Sequence, residues 1–291
     1  MERALEQLRE AICATVAPTP VDKVGLTAFI ASSTVVLPVG GQGSRLRAVT
    51  ERYGVQKHAL RLAGGETMIA RAIRMYRDAG FHDFVALVFH QADSVVEALG
   101  DGKDLGVQLR YSYDPEIPVG RGGAIRHALD NGAIPAGHHL IVHNPDDVIA
   151  RYPGSFPKDI VAAHLAGQQR GVIATAVMVD GARAPYTGLR IEDGIVAEVM
   201  PYPFVPIPAH MGVTVFSSEV SVYFRELFDL TRAIDFESVL FPRLAGDQKL
   251  GAMILPHQYW LQVNDPKSLD LLAALIAEER DTAELPPLSN Q

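Results

Sequence analysis

The chain has 291 residues, 48% of them hydrophobic, a formal net charge of -8 and a single cysteine, Cys13. That content builds a large core, in one α/β domain or two smaller ones, and one cysteine excludes an intramolecular disulfide. The acidic balance argues against a nucleic-acid binder, which would carry a basic face; small anionic substrates are still allowed, because a few placed Arg and Lys residues meet those.

Residues 3–16 set Ala4, Leu5, Leu8, Ala11, Ile12 and Val16 at helical spacing. The N-terminal stretch is charged and lacks the apolar core of a signal peptide. Apolar runs fall far short of the ~20 residues a membrane span needs, so a cytoplasmic protein with no membrane partner is expected. APTPVDKVG reads as a turn-rich linker, and LTAFIASS as a short apolar segment before a strand at 34–38. Strands and helices then alternate. MIARAIRMYRDAG is a helix stopped by Gly80, FVALVF a strand, ADSVVEALGDG a helix and VQLRYSY a strand. GGAIRHALDNG is a helix, LIVHN a strand, FPKDIVAAHLAGQQRG a helix and VIATAVMV a strand. This alternation predicts an α/β fold, a doubly wound, mostly parallel Rossmann-like sheet flanked by helices. From about 185 short strands take over, with IEDG as a hairpin turn, then a strand near 259–263, the helix SLDLLAALIAEER and a frayed tail. The apolar stripe of the first helix either packs on the core or supports a homo-oligomer; the sequence leaves both open.

The stretch VVLPVGGQGSRL, residues 35–46, carries the first chemical signal. Glycines after a strand let backbone N–H groups approach an anion without a Cβ in the way. A dinucleotide fingerprint needs a third glycine, and here Gly41-Gln42-Gly43 is followed by Ser44, Arg45 and Leu46. A P-loop needs G-K-[ST], which is missing. What is left is a phosphate-binding loop ending in an Arg, or a plain strand–helix turn with a solvated Arg.

The continuation decides between them. LPVGGQGSRLRAVT…KHALRLAGGETMI resembles the signature of the sugar-1-phosphate nucleotidyltransferases, L-A-G-G-x-G-T-R-L-x-P-L-T followed by K-P-L-L-P-V-x-G-K-P-M-I. Further segments resemble the family in the same order: VGRGGAI its L-G-T-A-G-A-L, LIVHNPDD its strand end F-L-V-L-N-G-D, HMGVTVF its N-A-G-I-Y-V-F, and YWLQVNDPKSL its Y-W-x-D-I-G-T-P-E-D-L. The resemblance implies a nucleotidyltransferase domain over 33–280, with a nucleotide-binding part at 33–150 and a small β-rich sugar-phosphate part at 151–280. A helical extension, 1–32, would precede it, and a flexible tail, 281–291, would follow.

The reaction so implied joins an NTP to a sugar phosphate and releases pyrophosphate, with Mg²⁺ as cofactor. The resemblance puts Pro38, Val39, Gly40, Gly41, Gly43 and Ser44 around the nucleotide, Arg45 on the leaving pyrophosphate and Lys57 on the phosphates. Gapless counting along LIVHNPDD puts Asp146 on the metal-binding Asp, with Asp147 one residue away and still open. The second metal position is Gln262, and Asn264 is the favoured substitute. Asp114 stands where relatives often have Gln; a carboxylate only accepts hydrogen bonds, which suits the N1–H and N2–H of guanine and favours GTP. Gly120 and Gly122 allow close approach of base and ribose, while Arg121, in place of Thr, has no role assigned. On the sugar side Tyr186 and Gly188 keep a Y-x-G sugar-contact position, although the family usually has the two adjacent, and Glu198 is a further substrate-binding candidate. But E-K-P aligns with Val199-Met200-Pro201, so its Lys is Met200, and the Asn of N-A-G is His210. The acceptor is therefore an uncommon sugar phosphate or a cyclitol phosphate. The alternative is a catalytically inactive regulatory or nucleotide-binding relative, motivated by Met200 and Gln262.

Overall fold

A computed structural model describes residues 2–12 and 22–284, with side chains to 280. Cys13, Val16, most of the 17–25 linker and the tail beyond 284 lie outside the described residues. The chain opens with α1 (Glu2–Ile12), which buries no side chain, and α2 (Lys23–Ala31). Asp22 caps α2 by accepting from the amides of Val24 and Gly25. Then come β1 (Ser33–Pro38), α3 (Arg47–Tyr53), α4 (Met68–Asp78), β2 (Asp83–Val88), α5 (Ala92–Leu99), β3 (Gln108–Tyr113), α6 (Gly120–Asp130), β4 (His139–His143) and β5 (Asp147–Ile149). The second half contains α7 (Phe156–Gln168), β6 (Ala174–Val179), β7 (Ala182–Arg183), β8 (Gly188–Glu192), β9 (Ile195–Met200), β10 (Phe204–Val205) and β11 (Ala209–Phe216). It closes with α8 (Val220–Leu227), α9 (Phe236–Gly246), β12 (Leu250–Leu255), β13 (Trp260–Gln262) and α10 (Pro266–Glu284).

The central sheet has the order β12-β6-β11-β4-β1-β2-β3. Strands β1 to β4 are mutually parallel, β12 is parallel to β6, and β11 runs antiparallel to both its neighbours. Helices cover both faces, which is why β1 reads as an unbroken apolar run. Val35 and Leu37 face a core shared with Ile69 and Ile73 of α4 and Ile160 of α7. Val36 faces the opposite core, with Ile125 of α6, Phe224 of α8 and Leu240 of α9. Strands from both halves of the chain thus belong to one sheet.

Within the described residues the predicted strands and helices up to residue 180 are present, with ends shifted by up to three residues. Gly80 at φ 104 and the Asp193-Gly194 turn at φ 49 and 79 take the left-handed conformations the sequence called for. Several elements were not foreseen: the short α3, β5, β7 and β10, and the longer α8, α9 and β12. Helix α8 is short and rich in Val, Tyr and Phe, which locally favour strand; α9 carries Pro242; β12 carries Gly251 and Ala252.

Candidate active site

The strand order reverses between β1 and β4, and a crevice opens there at the C-terminal ends of the strands. A cavity of about 350 Å³ occupies it, lined by Pro38, Gly40 and Gly41 from the loop after β1, by Lys57 and His58, and by Asn144 and Asp146 after β4. Asp114, Gly120, Arg121 and Asp235 line its remaining wall.

The loop is shaped by its own backbone. Val39 continues the pairing with β2, its amide bonding Leu87 O at 2.9 Å. Gly43 sits at φ +60, where an added Cβ would come within 3.0 Å of Lys57 Cδ. The bare Cα gives the Lys57 stem passage along the loop. Gln56, fully buried, ties the pieces together: its Nε2 donates to Gly41 O at 3.1 Å and its Oε1 accepts from the His58 amide at 2.6 Å. Ser44 opens a single 3₁₀ turn, and Arg45 lies exposed on that turn, near enough to Asp265 to lower its pKa, outside the cavity lining.

The two adjacent acids have separate environments. Asp146 Oδ2 pairs with the Lys57 ammonium and Oδ1 accepts from His58 Nε2–H at 3.1 Å. Burial works against its charge, but His58 and Lys57 outweigh it and hold the carboxyl well below its usual range. Asp147 is sealed behind it: Oδ1 accepts from Trp260 Nε1 at 2.9 Å and Gln262 Nε2 at 3.4 Å, and Oδ2 from Asn144 at 3.1 Å. Burial and the neighbouring Asp146 charge push the Asp147 carboxyl up. Gly212, at φ +76, leaves the space it needs, since a Cβ there would meet Asp147 Oδ2 at 1.9 Å. His143 buttresses this loop from below. Its Nε2 donates to Asp147 O at 2.9 Å and its Nδ1 accepts from the Tyr76 hydroxyl at 2.9 Å. Burial lowers the His143 pKa to about 4, so the ring is neutral.

Gln262 and Asn264 lie beside these acids, with Asn264 Nδ2 donating to Gln262 Oε1 at 2.7 Å and the amide of Val263 bonding Asp146 O at 2.7 Å. Among the described residues no group of three or more His, Cys, Asp or Glu side chains is gathered to hold a metal. Asp114 accepts the Val119 amide on Oδ2 at 3.2 Å, while its Oδ1 carries no hydrogen bond among the described residues. Gly120, at φ +71, lets the start of α6 close on Ile234, whose backbone N would lie 2.4 Å from a Cβ there; Gly122 makes the same allowance for the Phe228 ring. His210 donates from Nε2 to Val213 O at 3.0 Å, is drawn down to about pH 4 by burial, and lies 3.7 Å from Glu237. Tyr186, Gly188 and Glu198 belong to the exposed β8–β9 hairpin region and do not line the cavity; Glu198 pairs with Arg190 at 3.1 Å. The sequence reading passed over Gln56, His58 and Asp235, and gave Arg121 no role. His58 left a trace, standing where the family motif has the Pro of K-P.

Three comparisons place this arrangement. The model of the family described as nucleotidyl transferase matches residues 34–279. A probable mannose-1-phosphate guanylyltransferase 1 from Oryza sativa subsp. japonica is 26% identical over 231 residues, covering 79% of this chain and 60% of that protein. Mannose-1-phosphate guanylyltransferase 1 from Arabidopsis thaliana is 24% identical over 230 residues, with the same 79% and 60%. The chain thus spans about 60% of the length of these curated relatives. A crystal structure of a putative glucose-1-phosphate thymidylyltransferase from Bacillus anthracis superposes with TM-score 0.63 at 19% identity, covering 84% of this chain and 94% of that one. HddC from Yersinia pseudotuberculosis gives TM-score 0.60 at 18% identity, covering 83% and 98%. These two likenesses are of fold. With the family model running from the first strand of the sheet into the last helix, the chain belongs to the nucleotidyl transferase family.

Proposed function

We propose that the chain is a Mg²⁺-dependent nucleotidyltransferase that joins an NTP, with GTP favoured, to a sugar or cyclitol phosphate and releases pyrophosphate. The observation that carries this reading is the convergence of the glycine loop, Lys57 and Asp146 on one cavity at the strand ends. An acceptor phosphate oxygen attacks the α-phosphorus, and the bond from that phosphorus to the pyrophosphate oxygen breaks. Both reactants are anions, so the protein's work is positioning and charge neutralisation. Backbone N–H groups of Gly40, Gly41, Gly43 and Ser44 would face the phosphates, Lys57 would move from Asp146 onto them, and Arg45 would meet the leaving pyrophosphate. The donor set at the cavity fits Mg²⁺ delivered with a nucleotide: one carboxylate, Asp146, with phosphate oxygens and water for the rest, while Asn264, which bonds Gln262 and does not line the cavity, would have to turn to join it. Bound there, the ion would neutralise charge on the phosphates.

Asp114 supports GTP, since its unengaged oxygen and its raised pKa, caused chiefly by burial, suit a carboxylate awaiting N–H donors. The rice and Arabidopsis relatives, named as guanylyltransferases, point the same way. His210 belongs to the acceptor side on this reading; Tyr186, Gly188 and Glu198 join it only with an acceptor that extends past the cavity or a hairpin that moves. The test is a pyrophosphate-release screen of five NTPs against sugar and cyclitol phosphates. Release with GTP that requires Mg²⁺ is the expected result, and Asp146→Asn lowers kcat/KM by about 100-fold or more. Nucleotide binding with no release against any acceptor would instead favour the inactive relative, for which Gln262, committed to Asp147, is the specific observation.

A further inference from the structure

The cavity wall formed by the start of α6 and the segment before α9 carries an ion-pair cluster that the nucleotide chemistry leaves unused. Arg121 donates from Nε to Asp235 Oδ1 at 3.1 Å, from its amide to the same oxygen at 3.3 Å, and pairs through Nη1 with Glu237 Oε1 at 2.8 Å. Its guanidinium also lies over the Phe236 ring, 5.7 Å from the centroid. The cluster is not needed to fasten α6 to α9. Backbone bonds from Gly122 N to Ile234 O at 2.9 Å and from Ile234 N to Val119 O at 3.0 Å already do that.

Besides the buried Glu237 Oε2, two atoms of the cluster are uncommitted among the described residues: Arg121 Nη2 and Asp235 Oδ2. Both side chains line the cavity, Arg121 30% and Asp235 54% exposed. They present a hydrogen-bond donor and an acceptor side by side. A phosphate would not settle there, because one guanidinium faces two carboxylates and has no positive charge to spare. A neutral vicinal diol would, each hydroxyl giving a hydrogen bond to the carboxylate or taking one from the guanidinium. Resting on the transferase reading, we infer that Arg121 and Asp235 read a vicinal diol on the ring of the acceptor. The ribose of the NTP offers the same chemistry, so the test must separate the two.

Binding of mannose 1-phosphate and its 2-, 3-, 4- and 6-deoxy analogues is measured by calorimetry on the full chain. The protein is first saturated with guanosine 5′-(α,β-methylene)triphosphate, whose own affinity is measured in parallel. In Asp235→Ala and Arg121→Met, binding of mannose 1-phosphate should weaken about tenfold, and that of the triphosphate should change less than twofold. Two neighbouring deoxy analogues should bind poorly to the wild type, with that penalty gone in Asp235→Ala and partly kept in Asp235→Asn. Weakening confined to the triphosphate would assign the pair to ribose and overturn the inference. So would unchanged affinities, a loss that only follows a fall in thermal midpoint, or wild type that binds the triphosphate but none of the esters. Wild type that fails to bind the triphosphate would sink the transferase reading itself.

Discussion

Lys57 and Asp146 are each only 15% exposed, so neither charge has bulk water to fall back on. Removing one partner strands the other. Lys57→Met should cost about 3 kcal/mol of stability, near the low end for breaking a buried pair. Lys57→Met combined with Asp146→Leu should recover most of that loss without recovering turnover. Urea melts of the three variants check this, and a double variant no more stable than Lys57→Met would show that the pair is not coupled. The buried histidines make a second prediction. Burial sets His143 and His210 to about 4 and His164 to about 3, so all three stay neutral when folded and gain protons on unfolding below pH 6.5. More protons on the unfolded chain means that stability falls as pH falls through that window. Asp147 opposes one of the three, since its raised carboxyl holds a proton in the fold that the unfolded chain has lost above about pH 4. For these four groups the balance is near two protons, or about 2 kcal/mol lost between pH 6 and pH 5, and burial lowers His58 and His139 as well, which acts in the same direction. Urea midpoints at the two pH values measure it. His164→Asn, which keeps polar contact with Thr175 and Ser217, should remove about half of that dependence, one proton of the net two.

At the scale of elements, the joint between α6 and the segment before α9 decides whether the cavity wall stands. Gly120 has φ +71 and a Cβ there would meet Ile234 backbone at 2.4 to 2.7 Å, with no flexible side chain to yield. Gly120→Ala should therefore cost about 2 kcal/mol and raise KM for the nucleotide, read by thermal melts and initial rates; an unchanged KM would mean the wall does not touch it. The sequence foretold this element and its glycines, because helix period and a glycine cluster survive in a short window. It did not foretell what the helix packs on. Helix α9 has Pro242 inside and Phe236, Leu240 and Leu244 buried, so its fit is settled by Phe224 and Ile125, far away in sequence. The same reasoning explains the site. Gly43, Lys57 and Asp146 were legible because their chemistry lies in local motifs. The tie through Gln56 and the Arg121–Asp235 pair depend on contacts 15 and 114 residues apart, which no local pattern encodes.

The whole molecule is tied together by β11, which pairs antiparallel with β4 on one side and β6 on the other. The strands of the first half and the later strands therefore share one sheet and two large cores, so a ligand bound at the β1–β4 crevice should stabilise all of it. The linkage is quantitative. A ligand at 100 times its Kd adds about 2.7 kcal/mol to the folded state. For a domain of this size that is a rise in Tm of about 5–10 °C. The size of the rise should depend on metal and nucleotide together. Asp146 is the one carboxylate of the acid pair open to the cavity, and its oxygens are held by Lys57 and His58. Mg²⁺ alone must displace the ammonium with nothing to receive it, so millimolar Mg²⁺ alone should move Tm by less than about 1 °C. GTP alone brings uncompensated charge beside Asp146 and should shift it weakly. With both present, the phosphates would receive Lys57 and Asp146 would be left to hold the ion, so the full shift should appear. Differential scanning fluorimetry across a grid of GTP and Mg²⁺ concentrations measures the synergy, and Asp146→Asn should abolish it while strengthening the response to GTP alone, because the repelling carboxylate is gone and Lys57 is released. A full shift with GTP in excess EDTA would show that Lys57 and the loop suffice and that no metal takes part in binding.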